Sequence, residues 1–293
     1  MAEQRRDHVD AFTGTVTTGH EWDGVRELNT PLPRWWLGVF YATIVWSIGY
    51  WIVYPSWPLL SGYTKGVFGW HSREAVVNDV AGLRAIRGPM ADKLAAASLQ
   101  EILSDPQLLA FARAQARPIF GENCAPCHGA GGAGAKGYPN LNDDEWLWGG
   151  KLGDIDATVR YGVRSSDAKT RLGGMPAFGR DGMMKRQDIE TVADHVRSIA
   201  GLAVDAKADL AAGKKIYADM CASCHGAAGK GNRELGAPDL TDAIWLYGSD
   251  KAAIVDGLWN GRGGMMPAWA ARLDDSTIKA LTVYVHSLGG GEK

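Results

Sequence analysis

Cysteine is scarce in this chain of 293 residues, and all four cysteines lie in two short runs, at 124–127 and 221–224. A disulfide-dense secreted scaffold is therefore excluded. An excess of one charge is also missing, because the net charge is −2 and the regions 107–201 and 202–293 are both nearly neutral, which argues against nucleic acid as a partner. The chain also lacks a phosphate-binding loop, a Ser/His/Asp order and paired carboxylates beside a recognisable pocket, so the sequence does not support common hydrolase or kinase chemistry.

The two cysteine runs share the pattern Cys-x-x-Cys-His, which is the attachment signature of c-type haem. The cysteines form thioether bonds to the vinyl groups of the macrocycle, and the histidine ligates the iron from one face. Two disulfides or a zinc site with four cysteine ligands are the alternatives, but neither explains why a histidine follows both pairs. The sequence therefore predicts two covalently bound haem c groups. The attachment residues are Cys124, Cys127 and His128 in the first run and Cys221, Cys224 and His225 in the second.

A methionine-proline step in a glycine-rich loop follows each haem run. The loops read Gly-Gly-Met-Pro-Ala-Phe in the first case and Gly-Gly-Met-Met-Pro-Ala-Trp in the second. Proline fixes the backbone and glycine permits close approach, so such a loop can hold a thioether sulfur against a haem iron. Met175 is the predicted ligand in the first loop. In the second loop, aligning the two Met-Pro-Ala steps favours Met266 over Met265. The predicted iron ligands are thus Met175 and Met266 together with His128 and His225.

Ligation by histidine and methionine is the cytochrome c arrangement, and it raises the reduction potential of the haem iron. With both faces of the ring occupied, oxygen has no position on the iron, so the pattern predicts haems that carry electrons. The other histidines have no partner motif or lie on a helix, where a packing or surface role is commoner than metal ligation. They are His8, His20, His71, His195 and His286.

Residues 35–54 contain no charge and are rich in aromatic side chains. Twenty residues make a helix of about 30 Å, which matches the hydrocarbon core of a bilayer. Tryptophan and tyrosine near both ends are typical of membrane interfaces. A cleaved signal peptide would be shorter and would end in small residues. We therefore expect one transmembrane helix, preceded by a mostly irregular arm at 1–34. Because c-type haem is attached outside the cytoplasm, the arm would be cytoplasmic.

Residues 55–106 separate the membrane span from the first haem run. Ser72 is a candidate N-cap for an amphipathic helix. A second helix is expected to follow Pro89 and to end at the Asp-Pro step before residue 107. The segment is longer than a tether requires, so we interpret it as a connecting and docking segment, with a plain spacer as the alternative.

The remainder of the chain is an internal repeat with a period of about 97 residues. Each copy has a helix before its haem run, a glycine-rich loop, an aromatic Trp-Leu-Trp-Gly or Trp-Leu-Tyr-Gly step, a methionine loop and a closing amphipathic helix. No strand pattern is evident in the repeats. The predicted fold class is all-α, with one N-terminal transmembrane helix followed by two tandem class I cytochrome c domains, at 107–201 and 202–293.

Together, the anchor and the repeat resemble one known family, the dihaem FixP/CcoP subunit of cbb3-type cytochrome c oxidases. The most specific element is Asn-Thr-Pro-Leu-Pro-Arg-Trp-Trp at 29–36, since many cytochromes share the haem runs. The resemblance extends from about Asp23 to the C-terminus, and the family's haem-attachment and axial residues match the eight residues predicted above. In this family the methionines can be exchanged between domains, with Met266 on the first haem and Met175 on the second. The sequence does not decide between exchange and ligation within each domain.

The resemblance implies a bacterial inner-membrane complex that reduces oxygen to water and pumps protons. The partners would be the catalytic haem–copper subunit and a monohaem cytochrome c subunit, with a soluble cytochrome c or the cytochrome bc complex as electron donor. The haem domains would be periplasmic. Oxygen reduction would take place in the partner, so no catalytic residue is expected in this chain.

Two other functions are compatible with the residues themselves. A free-standing, membrane-anchored dihaem carrier would have the same haems without an obligate complex. A dihaem peroxidase would need one iron with an open or displaceable ligand, and the two near-identical His/Met patterns argue against it.

Overall fold

The computed structural model describes residues 9–292. Residues 1–8 of the predicted N-terminal arm, including His8, lie outside the described residues, as does Lys293. Within the described range the protein is mainly helical, and the two small hairpins are minor, so the predicted all-α class is confirmed. The chain divides into two compact units, Met1–Ala85 and Ile86–Lys293.

The N-terminal unit contains two short hairpins and a long helix. Its elements are β1 (Thr17–Trp22), β2 (Val25–Leu28), α1 (Arg34–Val53), β3 (Pro58–Leu59) and β4 (Gly62–Tyr63), with the start of α2 (Ser72–Ala96). β1 pairs antiparallel with β2, so the arm that was expected to be mostly irregular contains one hairpin. The two turn residues, Asp23 and Gly24, both have positive φ. Asp-Gly favours this conformation and therefore a two-residue hairpin turn.

The helix α1 corresponds to the predicted membrane span. It is the one helix of the described chain that is long and apolar enough to cross a membrane, with 20 residues and a mean hydropathy of 1.5. None of the residues in its most apolar stretch is buried against protein. An apolar helix without protein packed around it requires another apolar environment. These properties fit a membrane-anchored protein.

The helix α2 continues through Pro89 without a break, so the expected second helix after this proline is not separate. Proline removes one backbone donor and usually ends or kinks a helix. Here the turn beyond the proline is held by packing, because Leu94 is fully buried in a helical core and Met90 packs against that core. Tertiary contacts therefore override the local preference for a helix end.

The C-terminal unit continues from α2 with nine further helices among its described residues. They are α3 (Leu99–Ser104), α4 (Pro106–Asn123), α5 (Ala125–His128), α6 (Leu152–Tyr161), α7 (Arg186–Ile199), α8 (Leu210–Met220), α9 (Ala222–His225), α10 (Lys251–Asn260) and α11 (Asp275–His286). The four-residue helices α5 and α9 contain the two haem runs. Asp105 begins α4 by accepting hydrogen bonds from two backbone N–H groups, as expected of an N-cap.

Two hydrophobic cores form in this unit, and each combines segments from both sequence repeats. The first core contains α3, α4, α6 and α11, and the second contains α7, α8 and α10. The helix α11, which closes the second repeat, thus packs on α4, the first helix of the first repeat. Likewise α7, which closes the first repeat, packs on α8, the first helix of the second repeat. In the described structure, the first helix of each repeat is therefore covered by the closing helix of the other repeat.

Two aromatic contacts occupy equivalent positions and follow the same exchange. Phe120 of α4 lies 5.3 Å from Tyr284 of α11, measured between ring centroids. Tyr217 of α8 lies 5.5 Å from His195 of α7. Each pair joins the helix before a haem run to the closing helix of the other repeat.

Two pairs of backbone hydrogen bonds mark the points where the chain crosses between the cores. The N–H of Val163 donates to the carbonyl of Met266 (3.0 Å), and the N–H of Met266 donates to the carbonyl of Val163 (2.9 Å). Met175 and Arg262 exchange the equivalent two bonds, at 2.8 and 3.0 Å. The segment that follows α6 in the first core therefore pairs with the Met266 loop, which packs on that core. The segment that follows α10 in the second core pairs with the Met175 loop in the same way.

A glycine ends the helix before each crossing. Gly162 after α6 and Gly261 after α10 have φ of 70° and 76°, which glycine adopts without a steric penalty. An added Cβ would also collide with the carbonyl oxygen of Met266 at the first position and approach that of Met175 to 2.7 Å at the second. Close approach of the backbones at the crossings therefore requires glycine.

The crossings make the second core an insertion within the first. The second core is assembled from one continuous stretch, 175–259, and the first core from the stretches before and after it. The two haem runs consequently lie in different cores.

Candidate haem sites

The first Cys-x-x-Cys-His run forms a single helical turn at the end of α4. The N–H groups of Cys127 and His128 both donate to the carbonyl of Cys124, at 3.1 and 2.9 Å. Residues three apart lie on the same side of such a turn. The two thiols are thus arranged for attachment to one edge of a ring, and Cys127 is exposed while Cys124 is partly buried.

The second run has the same geometry at the end of α8. The N–H groups of Cys224 and His225 donate to the carbonyl of Cys221, at 3.1 and 2.9 Å. Cys221 is buried and Cys224 is exposed. The repeat in sequence is therefore a repeat in local structure, down to the hydrogen bonds.

The structure does not support a disulfide or a zinc site. All four cysteines are free and the two runs belong to different cores. Across residues 9–292, no group of three or more His, Cys, Asp or Glu side chains is placed to hold a metal ion.

Both histidines of the runs are oriented by a proline carbonyl. Nδ1 of His128 lies 3.0 Å from the carbonyl oxygen of Pro139, and Nδ1 of His225 lies 3.0 Å from that of Pro238. A carbonyl only accepts, so Nδ1 carries the hydrogen and Nε2 retains its lone pair. Burial also lowers the pKa of His225, which favours the neutral ring. A neutral imidazole with a free Nε2 is the form that ligates iron.

The methionine loops approach the haem runs of the other repeat. Met266 packs against the core that contains Cys124, and Met175 packs against the core that contains Cys221. Met265, the alternative in the second loop, has 72% of its surface exposed. The first cysteine of each run and the methionine of the other repeat therefore pack at the same core, and the second cysteine and the histidine follow in the same helical turn.

The aromatic step of each repeat carries an arginine over its ring. The guanidinium of Arg171 lies 5.4 Å from the ring centroid of Trp148, and that of Arg262 lies 4.3 Å from the centroid of Tyr247. A cation over an aromatic face is attracted by the ring quadrupole. The aromatic step therefore orients a cation beside each methionine loop.

Three of the remaining histidines have packing or hydrogen-bonding roles. His195 lies against Tyr217, and burial lowers its pKa. Nε2 of His286 lies 2.8 Å from the carbonyl oxygen of Glu292. His71 lies beside Tyr63 in the N-terminal unit. These positions agree with the view that the closing-helix histidines are not iron ligands, which stays a prediction.

Sequence reasoning missed the roles of the two prolines and of Arg164. The signal for the prolines was present, because Pro-Asn-Leu and Pro-Asp-Leu occupy the same position in both repeats. Arg164 had no such signal, since the equivalent position of the second repeat, after Gly261 and Arg262, is a glycine.

Comparison with known proteins identifies both parts of the chain. Residues 14–61 match the family described as the N-terminal domain of cytochrome oxidase-cbb3, FixP. Residues 112–196 and 208–285 match the family described as cytochrome C oxidase, cbb3-type, subunit III.

Similar proteins match over nearly their whole length. The chain is 60% identical over 283 residues to the cbb3-type cytochrome c oxidase subunit FixP of Bradyrhizobium diazoefficiens, covering 97% of this chain and 98% of the relative. It is 57% identical to the FixP subunit of Azorhizobium caulinodans, over 97% and 96% of the two chains. It is 50% identical to the CcoP subunit of Azospirillum brasilense, over 100% of both.

Proposed function

Because the chain belongs to the family of FixP/CcoP subunits, subunit III of cbb3-type cytochrome c oxidases, we propose that it is the dihaem electron-transfer subunit of such an oxidase. Its cytochrome c domains imply haem c. The proposal rests mainly on one observation, that the first cysteine of each haem run and the methionine of the other repeat pack at the same one of two separate cores. These residues fit haem c, because the Nδ1 hydrogen bonds leave Nε2 of each histidine free.

The proposed cofactor content is two covalently bound haem c groups. One is attached through Cys124 and Cys127, and the other through Cys221 and Cys224. When bound, haem c supplies an iron that carries one electron between two oxidation states. The carbonyls of Pro139 and Pro238 hold the imidazoles of the two axial histidines in the ligating tautomer and orientation.

The axial methionines are proposed to be exchanged between the repeats. Met266 would serve the haem on the first run with His128, and Met175 the haem on the second run with His225. This assignment is supported by the packing of each methionine against the core on which the other repeat's haem run also packs. With one histidine and one methionine as ligands, neither face of the iron would be left open to oxygen, which suits a site for electron transfer.

We further propose a place for the chain in the oxidase. The helix α1 would anchor it in a bacterial inner membrane, with the N-terminus cytoplasmic and the haem domains periplasmic. Electrons would arrive from a soluble cytochrome c or the cytochrome bc complex and pass to the monohaem subunit and the catalytic haem–copper subunit. The proton-pumping and oxygen-reducing steps would belong to the partners.

The connecting segment 55–106 is proposed to dock on those partners. Its helix α2 exposes apolar side chains at helical spacing, Val76, Val80 and Leu83, with 59%, 39% and 57% of their surfaces accessible. A row of exposed apolar residues is more typical of a contact surface than of a tether.

The methionine exchange can be tested in variants that keep one haem. In a Cys221→Ser/Cys224→Ser chain only the first haem is attached. Adding Met266→Ala should abolish its methionine-to-iron charge-transfer band, lower its potential and open it to carbon monoxide. Adding Met175→Ala or Met265→Ala should leave all three properties unchanged.

The reciprocal chain, Cys124→Ser/Cys127→Ser, provides the matched control. In this chain only the second haem is attached. Met175→Ala should therefore abolish its methionine-to-iron band, lower its potential and open it to carbon monoxide, whereas Met266→Ala should change none of these properties. Ligation within each repeat would reverse both results, and an unchanged band in every variant would contradict methionine ligation altogether.

The assignment to an oxidase is tested by gentle detergent purification of the chain from its membrane. We expect b-type haem, copper and oxygen-reducing activity to purify with it. Isolation of c-type haem alone, with intact membrane oxygen consumption after deletion of 55–106, would instead identify a free-standing anchored carrier.

A further inference from the structure

Arg164 has an unusual backbone conformation beside a methionine loop. Within residues 9–292 it is one of two non-glycine residues with positive φ, at 49°. A long side chain in this region is strained and persists only where surrounding contacts hold it. Arg164 directly follows Val163, which is paired with Met266 by two backbone hydrogen bonds.

The side chain of Arg164 binds both methionine loops. Its Nη1 donates to the carbonyl of Gly173, while its Nε and Nη2 donate to the carbonyl of Gly264, with Nε at 2.7 Å. A guanidinium is a planar and rigid fork of donors that remains charged, so it can hold two carbonyls in a fixed relation.

The charge of Arg164 is not neutralised by an acidic side chain. Arg160, Arg171 and Arg262 each pair with an aspartate, whereas in the described part of the chain no carboxylate lies within 4.0 Å of the Arg164 guanidinium nitrogens. Its bonding groups are backbone carbonyls alone.

The two carbonyls occupy equivalent positions. Gly173 lies two residues before Met175, and Gly264 lies two residues before Met266. One guanidinium therefore binds the same point of both loops. The position equivalent to Arg164 in the second repeat is Gly263, where an added Cβ would lie 3.9 Å from Cδ and Nε of Arg164.

We propose that Arg164 is a positioning residue that ties the Met175 loop to the Met266 loop and so sets the axial ligation of both haem sites together. This inference rests on the proposed function, because it takes the two methionines as axial ligands. Loss of the fork would release both loops at once and weaken the hold of each thioether on its iron. The positive charge also favours the reduced iron at both sites.

The experiment compares Arg164→Gly and Arg164→Lys in the full-length dihaem chain. Glycine removes the fork, the charge and the backbone strain, so folding is not expected to suffer, and lysine keeps the charge but lacks the planar fork. In both variants we expect a weaker methionine-to-iron band for both haems, more carbon monoxide bound after reduction, and methionine displacement at lower pH. The potentials should fall further with glycine than with lysine.

Arg233→Gln is the matched control. Arg233 forms an ion pair at 2.5 Å with Glu292, and both residues lie outside the two methionine loops. Its removal should leave the band, carbon monoxide binding and potentials as in the unchanged chain. Thermal unfolding of all variants separates a loss of ligation from a loss of fold, and Arg164→Lys decides the question if Arg164→Gly is unstable.

Two results would overturn the inference while leaving the proposed function intact. One is an Arg164→Gly chain whose methionine-to-iron bands, carbon monoxide binding and potentials are the same as those of Arg233→Gln. The other is a change confined to one haem, because a shared fork must affect both. If Met175→Ala and Met266→Ala themselves leave the bands unchanged, methionine ligation is wrong and the inference fails with it.

Discussion

The residues of each proposed haem site are brought together in two different ways. The cysteines and histidine lie within one turn of helix, where their spacing alone brings the thiols to one side. The methionine and the proline carbonyl arrive from elsewhere in the chain, and their positions depend on the loops. Pro139 and Pro238 act through the backbone carbonyl, which proline shares with every other residue. Their part was therefore not readable from residue type.

Another residue-scale feature is an acidic pair formed across the two repeats. Glu145 lies beside Asp242, and burial together with this neighbouring carboxylate raises the pKa of Glu145 to about 7. Asp239 also faces Glu145, and Lys230 and Arg233 line the same cleft. The uncharged form of Glu145 is therefore favoured in the folded protein.

We predict that Glu145→Gln stabilises the protein at pH 8. An acid with a raised folded-state pKa contributes most stability below its unfolded pKa, and that contribution is lost as the pH rises to about 7. Because Glu145 is partly exposed, solvent screening reduces the gain to about 1 kcal/mol. Urea unfolding at pH 5 and pH 8 measures it, and the gain should be smaller at pH 5.

The exposed Glu234 provides the control for this prediction. Glu234→Gln should shift the urea midpoint equally at both values of pH. A stabilisation by Glu145→Gln that does not depend on pH would contradict the raised pKa as its cause.

Among the helices, the exchange of α7 and α11 is the main feature. Both helices have apolar residues at the same spacing, and each becomes the most deeply buried helix of its core. Ile189 and Ile278 are equivalent positions with 0% and 1% of their surfaces exposed. Two closing helices with the same apolar spacing thus each complete the core that contains the first helix of the other repeat.

We predict that truncating each isoleucine destabilises the helix that precedes the haem run of the other repeat. Ile278→Ala should cost about 2–5 kcal/mol and reduce hydrogen-exchange protection in α4, which precedes the first haem run, while α8 keeps its protection. Ile189→Ala should do the reverse. Each variant is the control for the other, and loss of protection in α8 after Ile278→Ala would mean that each repeat closes its own core.

At the scale of the whole molecule, one haem domain is inserted into the other. The stretch 175–259 completes the second core by itself, whereas the first core needs the chain on both sides of it. A molecule made of two tandem repeats therefore has one continuous and one divided domain.

Fragments should reveal this organisation. Exported to a compartment that attaches haem, residues 163–262 should fold with one haem that shows a methionine-to-iron band, since they contain Met175, α7, α8, the second run and α10. Residues 107–201 should attach haem through the first run but lack the band and bind carbon monoxide, since Met266 and α11 are missing. A methionine-ligated haem in the 107–201 fragment would contradict the insertion.

Much of this protein followed from its sequence because the deciding interactions are local. The haem runs span five residues each, the apolar segment that forms α1 is defined by composition, and the helices of the repeats show in the spacing of their apolar residues. The Asp-Gly turn of the first hairpin was also readable. The helix through Pro89 was not, because packing beyond the proline decides it.

Only the tertiary structure decided which halves of the repeats belong together. The closing helices α7 and α11 have the same spacing of apolar residues, so periodicity alone does not say which of α4 and α8 each one covers. The choice is made where Gly162 and Gly261 turn the chain across to the other methionine loop. Such turns determine long-range connectivity, which periodicity within a helix does not encode.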